Sequence, residues 1–194
     1  MREVGNRLPA LPGAVSALRV WAFDEARFGL KTWFRRRWCP RGFRAPWVFE
    51  DRYEWVWWYA AVEPATGASF CLYLPRLDGA CLEVFLIAFR HAYPDDHLVL
   101  VLDGAGSHGN QAVTWPVGLQ PLRLPPYSPE LNPAERWFEE RRGALANTVF
   151  ESTDALMTAL TRELQPYWAQ PARLAQLTGY PWWLEGIANI RTST

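Results

Sequence analysis

The chain lacks several features that mark large classes of proteins. It carries no net charge, because 20 Lys and Arg balance 20 Asp and Glu among its 194 residues. This balance argues against a protein that coats nucleic acid through overall positive charge, although it leaves room for a local basic patch. Its few cysteines, Cys39, Cys71 and Cys81, are odd in number and have no C-x-x-C spacing. A zinc site is therefore not expected.

Long apolar runs, internal repeats and low-complexity tracts are also missing. No stretch reaches the length of a membrane span, and no secretory leader is visible. We therefore expect a cytoplasmic protein without a membrane segment, where a reducing environment keeps cysteines free. With 49% hydrophobic and 21% charged residues, the composition is that of a globular protein, and this length can enclose a substantial core.

Hydrophobic patterning predicts a mixed α/β structure. Five consecutive apolar residues at positions 98–102 indicate a strand buried on both faces. The other predicted elements are strands at 18–24, 54–62 and 68–74, a helix carrying Leu82, Phe85, Leu86 and Phe89, an edge strand near Leu122, and helices from Pro133 and over 153–168. From Pro171 onward the pattern predicts a short helix and then a coil that contains Trp182 and Trp183.

This order of elements fits a ribonuclease H-like fold, a mixed five-stranded sheet flanked by helices. In that arrangement the first strand lies beside the strand that follows the first helix. We expect residues 1–17 to be an irregular arm or linker remnant and residues 18–150 to form the ribonuclease H-like domain. Residues 151–194 are expected to form a helical extension packed on the same domain.

Three acids are placed to converge in such a fold. Asp103 ends the strand at 98–102, and open α/β sheets present their ligand sites at the carboxyl ends of strands. Asp24 ends the first strand and shares a face with its smaller residues. The ribonuclease H-like arrangement is expected to place it beside Asp103. Glu135 is the third residue of a helix that Asn132 is expected to cap.

Each acid also has an alternative interpretation. Glu135 is placed where a capping-box acid would reach back to the backbone N–H of Asn132. Asp103 could simply begin a turn, and Glu25 could replace its neighbour as a ligand. Glu139, one helical turn beyond Glu135, is a rival third acid.

Three carboxylates that lie together repel, and each raises the pKa of the others unless cations separate them. Hard divalent cations such as Mg²⁺ bind oxygen ligands and keep positions open for substrate phosphates. Two such ions about 3.5–4 Å apart can activate an attacking oxygen and stabilise the leaving one in phosphodiester chemistry. Asp24, Asp103 and Glu135 are the candidate ligands.

Basic and aromatic residues are interleaved after the first strand, where Trp33 and Trp38 stand among the cations. This composition is typical of a surface that grips phosphates and stacks on bases, but it also fits the solvated face of a hairpin. Arg142, near the C-terminus of the helix that carries Glu135, has an alternative role: its positive charge can stabilise that end of the helix dipole. The candidate cations are Lys31, Arg35, Arg36, Arg37, Arg41, Arg44, Arg136, Arg141 and Arg142.

Three sequence blocks are similar to the signature of one family. They are LPPYSPELNPAE at 124–135, DGAGSH at 103–108 and FDEARF at 23–28. Together they resemble mariner-type bacterial insertion-sequence transposases over about residues 20–164. The resemblance implies a ribonuclease H-like catalytic domain in which Asp24, Asp103 and Glu135 form an Asp-Asp-Glu triad that holds two Mg²⁺ or Mn²⁺ ions.

The resemblance also implies a reaction and partners. Water would cut the DNA at the transposon ends, and the freed 3′-hydroxyl would attack target DNA. We expect double-stranded DNA as the substrate and a homodimer that brings two ends together. A lone histidine such as His108 is more often a structural residue, but the resemblance implies that it positions a phosphate or a water near the metal ligands. Glu25 and Glu139 are further candidates for a role beside those ligands. Arg27 or Lys31 is expected to touch the DNA backbone.

The chain departs from the family pattern in three places. Gly104 follows the second acid where Asn is usual, and Arg141 and Arg142 stand where a Lys is often found. Family members usually carry helix-turn-helix modules, and nothing before Val20 can supply one. We therefore expect the catalytic half of a transposase, with a separate helix-turn-helix protein as a candidate partner. The alternatives are a metal nuclease that cuts without joining and an inactive or co-opted DNA-binding remnant.

Overall fold

Six strands form one mixed sheet in the computed structural model, which describes residues 2–6, 18–44, 46–103 and 113–192. In chain order they are β1 (Arg2–Asn6), β2 (Leu18–Gly29), β3 (Trp55–Glu63), β4 (Ala68–Leu74), β5 (His97–Leu102) and β6 (Leu119–Arg123). Their order across the sheet is β1-β4-β3-β2-β5-β6. The pairs β1–β4, β4–β3 and β3–β2 are antiparallel, whereas the pairs β2–β5 and β5–β6 are parallel. Strands β2 to β6 confirm the predicted ribonuclease H-like sheet.

Strand β1 is an addition to that sheet. Residues 1–17 were expected to be irregular, but Arg2–Asn6 pairs antiparallel with β4 at the edge of the sheet. An edge strand leaves a row of backbone N–H and C=O groups unpaired, and β1 satisfies those of β4. Residues 7–17 lie outside the described part of the chain. The proposed division into arm, domain and extension is still a prediction.

Helix α1 (Gly79–Ala92) covers one face of the sheet. Its buried residues Leu82, Phe85, Leu86 and Phe89 form the predicted stripe. The carboxylate of Asp78 caps the helix by accepting a hydrogen bond from the backbone N–H of Cys81 at 2.8 Å. The described residues form two hydrophobic cores, and this face holds one of them.

The other face carries the other α-helices of the described ranges: α2 (Pro133–Leu145), α3 (Thr153–Ala169), α4 (Pro171–Thr178) and α5 (Pro181–Thr192). The predicted coil after α4 is wrong, because the chain forms helix α5 there. Trp183 and Ile187 are four residues apart on one face of this helix, and both are buried in the second core. None of the helices in the described ranges is long and apolar enough to cross a membrane.

Strand β2 contributes to both cores because its side chains alternate. Trp21 and Phe23 lie in the α1 core, whereas Ala22, Ala26 and Phe28 lie in the core under the other helices. The strand continues to Gly29, beyond the predicted end at residue 24, because this alternation of buried residues continues.

Candidate active site

The register of two parallel strands brings Asp24 and Asp103 level with each other. In the β2–β5 ladder, Leu18 lies opposite His97 and Ala22 lies opposite Val101. Continuing this register by two residues reaches Asp24 and Asp103. Asp103 therefore directly follows β5, the position at which α/β sheets present ligand sites, and Asp24 lies beside it on β2, two residues past the last paired residue Ala22.

Alternation distinguishes Asp24 from its neighbour Glu25. Asp24 has the parity of Ala22 and Ala26, which lie in the core under α2. Glu25 has the opposite parity, that of the residues packed against α1. Its backbone N–H donates a 2.8 Å hydrogen bond to Oδ1 of Asp24, so Glu25 helps orient that carboxylate through its main chain.

Helix α2 begins beside Asp24 because of Asn132. The side-chain oxygen of Asn132 accepts a hydrogen bond from the backbone N–H of Ala134 at 3.1 Å, which caps the helix. Its amide nitrogen donates a 3.0 Å hydrogen bond to the carbonyl oxygen of Phe23. Asn132 is buried, so both bonds are shielded from water. Glu135 projects from the first turn of a helix that is fastened to the residue before Asp24.

The capping-box interpretation of Glu135 does not match these contacts. A capping box needs the N3 acid to accept from the N-cap backbone N–H. The backbone N–H of Asn132 instead donates to the carbonyl oxygen of Pro129 at 2.9 Å, in the short 3-10 turn Pro129–Leu131. The carboxylate of Glu135 is therefore not needed to cap the helix.

The environment of Asp24 links the three acids electrostatically. The pKa of Asp24 is raised well above its ordinary value of 3.8, chiefly because burial disfavours the charged form. The negative charges of Glu135, Glu25 and Asp103 raise it further, in that order, and the hydrogen bond from the Glu25 N–H opposes them. The charges of both other candidate ligands, Glu135 and Asp103, therefore raise the pKa of Asp24.

The electrostatic interaction among the three acids does not by itself give the geometry that metal coordination needs. Within the described residues, no three His, Cys, Asp or Glu side chains stand close enough together to hold a metal ion. Three like charges repel one another, which opposes closer approach of the carboxylates. Three carboxylates at one edge of a sheet are nevertheless the kind of oxygen ligands that a hard divalent cation prefers.

An open cleft of about 480 Å³ adjoins Glu135. Its lining residues are Pro129, Glu130, Asn132, Glu135, Arg136, Glu139 and Tyr180. Glu139 lies in this cleft, is exposed, and has its carboxylate 3.6 Å from the guanidinium of Arg136. Tyr180 was not among the predicted site residues, because no local pattern shows that the α4–α5 junction reaches α2. His108 lies outside the described residues, and its role is still a prediction.

Basic residues gather at the other end of α2. Arg27, Lys31 and Arg142 line a small pocket of about 70 Å³ together with Trp33. Lys31 lies 2.8 Å from Asp51 and donates to the Tyr53 hydroxyl at 2.9 Å, and these hydrogen bonds raise the pKa of its ammonium group. Because Lys31 is exposed, this pair leaves it accessible to solvent.

The loop that carries the other cations is fastened to the end of α2. The Asn147 side chain accepts from the backbone N–H of Arg35 at 3.1 Å and donates to the Arg35 carbonyl at 3.0 Å. Arg35, Arg36, Arg37 and Arg41 are exposed on this loop, as are Trp33 and Trp38. Arg136, at the acidic end of α2, is also exposed.

Arg141 occupies a different environment, and its predicted contact with DNA does not fit it. Its side chain is buried, and its guanidinium donates to the Glu163 carbonyl at 2.8 Å, the Tyr167 hydroxyl at 2.8 Å and the Glu140 carboxylate at 3.0 Å. Arg141 therefore ties α2 to α3. The sequence contained this signal, since Ala134, Trp137, Phe138 and Arg141 fall on one helical stripe.

Comparison with known proteins adds to this geometry. The family model for the DDE superfamily endonuclease matches residues 19–157. An uncharacterized protein, y4pE/y4sA of Sinorhizobium fredii (strain NBRC 101917 / NGR234), is 35% identical over 106 residues, which are 54% of this chain and 78% of that protein.

The fold is similar to that of solved transposase structures. A pre-cleavage Mos1 transpososome superposes with a TM-score of 0.62 at 19% identity over 83% of this chain. A Mos1 mariner paired end complex with Mn gives a TM-score of 0.58 at 18% identity, also over 83% of this chain. The matched region spans 54% of the Mos1 chain in both structures, so this chain covers about half of that protein. At this identity the likeness concerns the fold.

Proposed function

The chain belongs to the DDE superfamily of endonucleases, and from this we propose that it is a transposase catalytic domain. In this proposal it cuts DNA strands at transposon ends and joins the freed 3′-hydroxyl to target DNA. The observation that carries the proposal is the strand register that sets Asp24 level with Asp103, together with the Asn132–Phe23 hydrogen bond that holds the helix of Glu135 beside Asp24. Acids in that position suit phosphodiester chemistry that depends on a divalent cation.

Asp24, Asp103 and Glu135 are the residues that would hold the cation, Mg²⁺ or Mn²⁺, with two ions per site. When bound, such ions activate the attacking oxygen and stabilise the leaving one. Asn132 sets the position of Glu135, and the Glu25 N–H orients Asp24. The presence of Mn in a Mos1 complex of the same fold is consistent with this assignment.

The cations of this surface, which are exposed except for the half-buried Arg142, are proposed to bind the DNA backbone. Arg27, Lys31 and Arg142 meet in one pocket about two helical turns along α2 from Glu135. The exposed loop residues Arg35, Arg36, Arg37 and Arg41 extend this basic surface, and Arg136 adds a cation beside the acids. Phosphate contacts of this kind position a nucleic acid without reading its sequence.

The assembly is proposed on the same basis. A transposase acts on two DNA ends, so we propose a homodimer on double-stranded DNA in the cytoplasm, with a separate helix-turn-helix protein as a candidate partner. The Mos1 structures are described as a transpososome and a paired end complex, which is consistent with this assembly.

The test is a cleavage and joining assay on plasmid DNA that carries the sequences flanking the gene. We expect cleavage that requires Mg²⁺ or Mn²⁺, and joined product when pre-cleaved 3′-hydroxyl ends are supplied with a target plasmid. Asp103→Asn should lose about a hundred- to a thousandfold in rate, as enzymes do when a key electrostatic group is removed. Asp95→Asn is the matched control, because the exposed Asp95 lies at the opposite end of β5.

The same assay decides the third acid and the alternatives. Glu135→Gln should abolish cleavage and Glu139→Gln should retain it, and the reverse result would assign the role to Glu139. Cleavage without joined product would identify a metal nuclease that does not transpose. An active enzyme should bind Mn²⁺ saturably, and Asp103→Ala should lose that binding. If no such binding is found, an inactive or DNA-binding remnant is favoured.

A further inference from the structure

A pair of stacked aromatic side chains reaches the cleft beside Glu135 through one of its members. Tyr180 lines the cleft, and its ring stacks on that of Trp182 with centroids 5.6 Å apart and an interplanar angle of 14°. Trp182 is 43% exposed, although aromatic residues of this size are usually buried. The proposed chemistry of the acids leaves this pair without a function.

The pair is held rigidly. The backbone N–H groups of Trp183 and Leu184 both donate to the Tyr180 carbonyl, at 3.0 and 3.1 Å, and the Tyr180 N–H donates to Thr178 at 2.9 Å. Trp183 packs edge-on against Trp182 at 5.9 Å and is buried in the core. The half-buried ring of Tyr180 and the exposed ring of Trp182 are therefore fixed to the body of the protein, and a ligand would not have to order them.

The lining of the cleft suits an uncharged planar group. Glu130 and Glu139 give it negative charge, which the exposed guanidinium of Arg136, 3.6 Å from Glu139, offsets in part. This open cleft has a volume of about 480 Å³, which leaves room for one nucleoside. Aromatic rings bind bases through their faces, whatever the base.

We propose that Tyr180, supported by Trp182, is a stacking platform for one unpaired base of the DNA strand that is cut at the acids. The inference takes its substrate class from the proposed function. A base can lie on the platform only when it has left the duplex stack, so the site selects DNA that is locally open next to the scissile phosphate.

The test uses the full chain and two duplexes of the same sequence with Ca²⁺ replacing Mg²⁺. One duplex contains a single bulged 2-aminopurine, and the other is fully paired with 2-aminopurine at that position. Dissociation constants are measured by fluorescence titration. Tyr180→Ala should weaken binding of the bulged duplex about five- to hundredfold, as loss of one stacked base does, and leave the paired duplex within about twofold. Tyr180→Phe keeps the ring and should behave as the wild type.

A second variant covers the case in which Tyr180→Ala does not fold. Trp182→Leu removes the supporting ring from an exposed position and should weaken the bulged duplex alone. The proposal is overturned if a folded Tyr180→Ala or Trp182→Leu protein prefers the bulged duplex as strongly as the wild type does. It is also overturned if free dAMP binds with the same dependence on Tyr180 while the bulged duplex does not.

Failure of this inference and failure of the proposed function are distinguishable. A wild-type protein that cuts DNA, with a Tyr180→Ala variant unchanged in binding, contradicts the platform alone. A protein that shows the Tyr180-dependent preference but never cuts DNA with any divalent metal contradicts the proposed activity alone.

Discussion

The side-chain amide of Asn132 donates a 3.0 Å hydrogen bond to the carbonyl oxygen of Phe23, the residue before Asp24. The same side chain caps α2, so one buried residue fixes both where the helix begins and which strand it touches. Glu135 and Asp24 are distant in sequence, and this bond is a direct link between their elements. The position of Glu135 relative to Asp24 therefore depends on Asn132.

Asn132→Ser separates the two roles of this residue. A serine hydroxyl can still cap the helix, but it is too short to reach Phe23, so we expect weaker Mn²⁺ binding with a small loss of stability. Asn132→Ala loses the cap as well, which adds a cost of about 0.5–2 kcal/mol in the free energy of unfolding. Calorimetric Mn²⁺ titration and urea denaturation measure the two effects. Wild-type Mn²⁺ affinity in the serine variant would show that the bond to Phe23 does not position Glu135.

The raised pKa of Asp24 predicts how stability changes with pH in metal-free protein. Asp24 keeps its proton to a higher pH in the folded chain than in the unfolded chain, where its pKa is near 3.8. Its contribution is therefore fully favourable below that value and is lost as pH rises through the raised pKa. Asp24→Asn removes this loss and should be more stable than the wild type at pH 7 by about 0.5–2 kcal/mol, the gain typical of a stabilising substitution.

Denaturation with urea in EDTA, repeated from about pH 3 to pH 8 across the ordinary range of an Asp pKa, measures this difference. The two proteins should be equally stable at the acid end and diverge as pH rises. Added Mn²⁺ should then stabilise the wild type more than the variant, because a ligand that binds only the folded state stabilises it. A constant difference at all pH values would contradict the assigned titration of Asp24.

Two adjacent arginines should behave oppositely. Arg141→Ala removes buried hydrogen bonds between α2 and α3 and should cost about 2–3 kcal/mol in the free energy of unfolding, since its acidic partners stay partly solvated. Arg142→Ala, on the pocket with Arg27 and Lys31, should change stability by less than about 0.5 kcal/mol. It should instead lower the slope of DNA affinity against salt by about one. Equal effects of the two variants on both measurements would contradict the division.

A substitution at the end of the sheet opposite the acids should change stability without changing metal binding. Glu63 is buried and accepts hydrogen bonds from Arg19, at 2.7 Å, and from Thr66. Glu63→Ala leaves the half-buried guanidinium of Arg19 short of a partner and should cost about 3 kcal/mol, near the usual cost of breaking a buried pair. Mn²⁺ affinity of the folded fraction should stay at the wild-type level. A parallel loss of metal affinity would mean that the two ends of the sheet are coupled.

The sequence was informative where local periodicity decides structure. The alternation in β2, the apolar run of β5 and the cap at Asn132 predicted the central strands and the position of Glu135 on α2. The strand β1 and the helix α5 were missed because each depends on a distant partner, the free edge of β4 and the core that buries Trp183. Arg141 was misassigned because charge was given more weight than its place on the buried stripe of α2.

The central claim is that Asp24, Asp103 and Glu135 close on a divalent cation, and Mn²⁺ soaked into crystals of the protein tests it most directly. Anomalous scattering at the manganese edge locates the ion independently of any activity. We expect a peak within about 2.0–2.6 Å of oxygens from all three carboxylates, the usual range for hard cations. A peak elsewhere, or carboxylates that stay apart while the protein cuts DNA, would contradict the account.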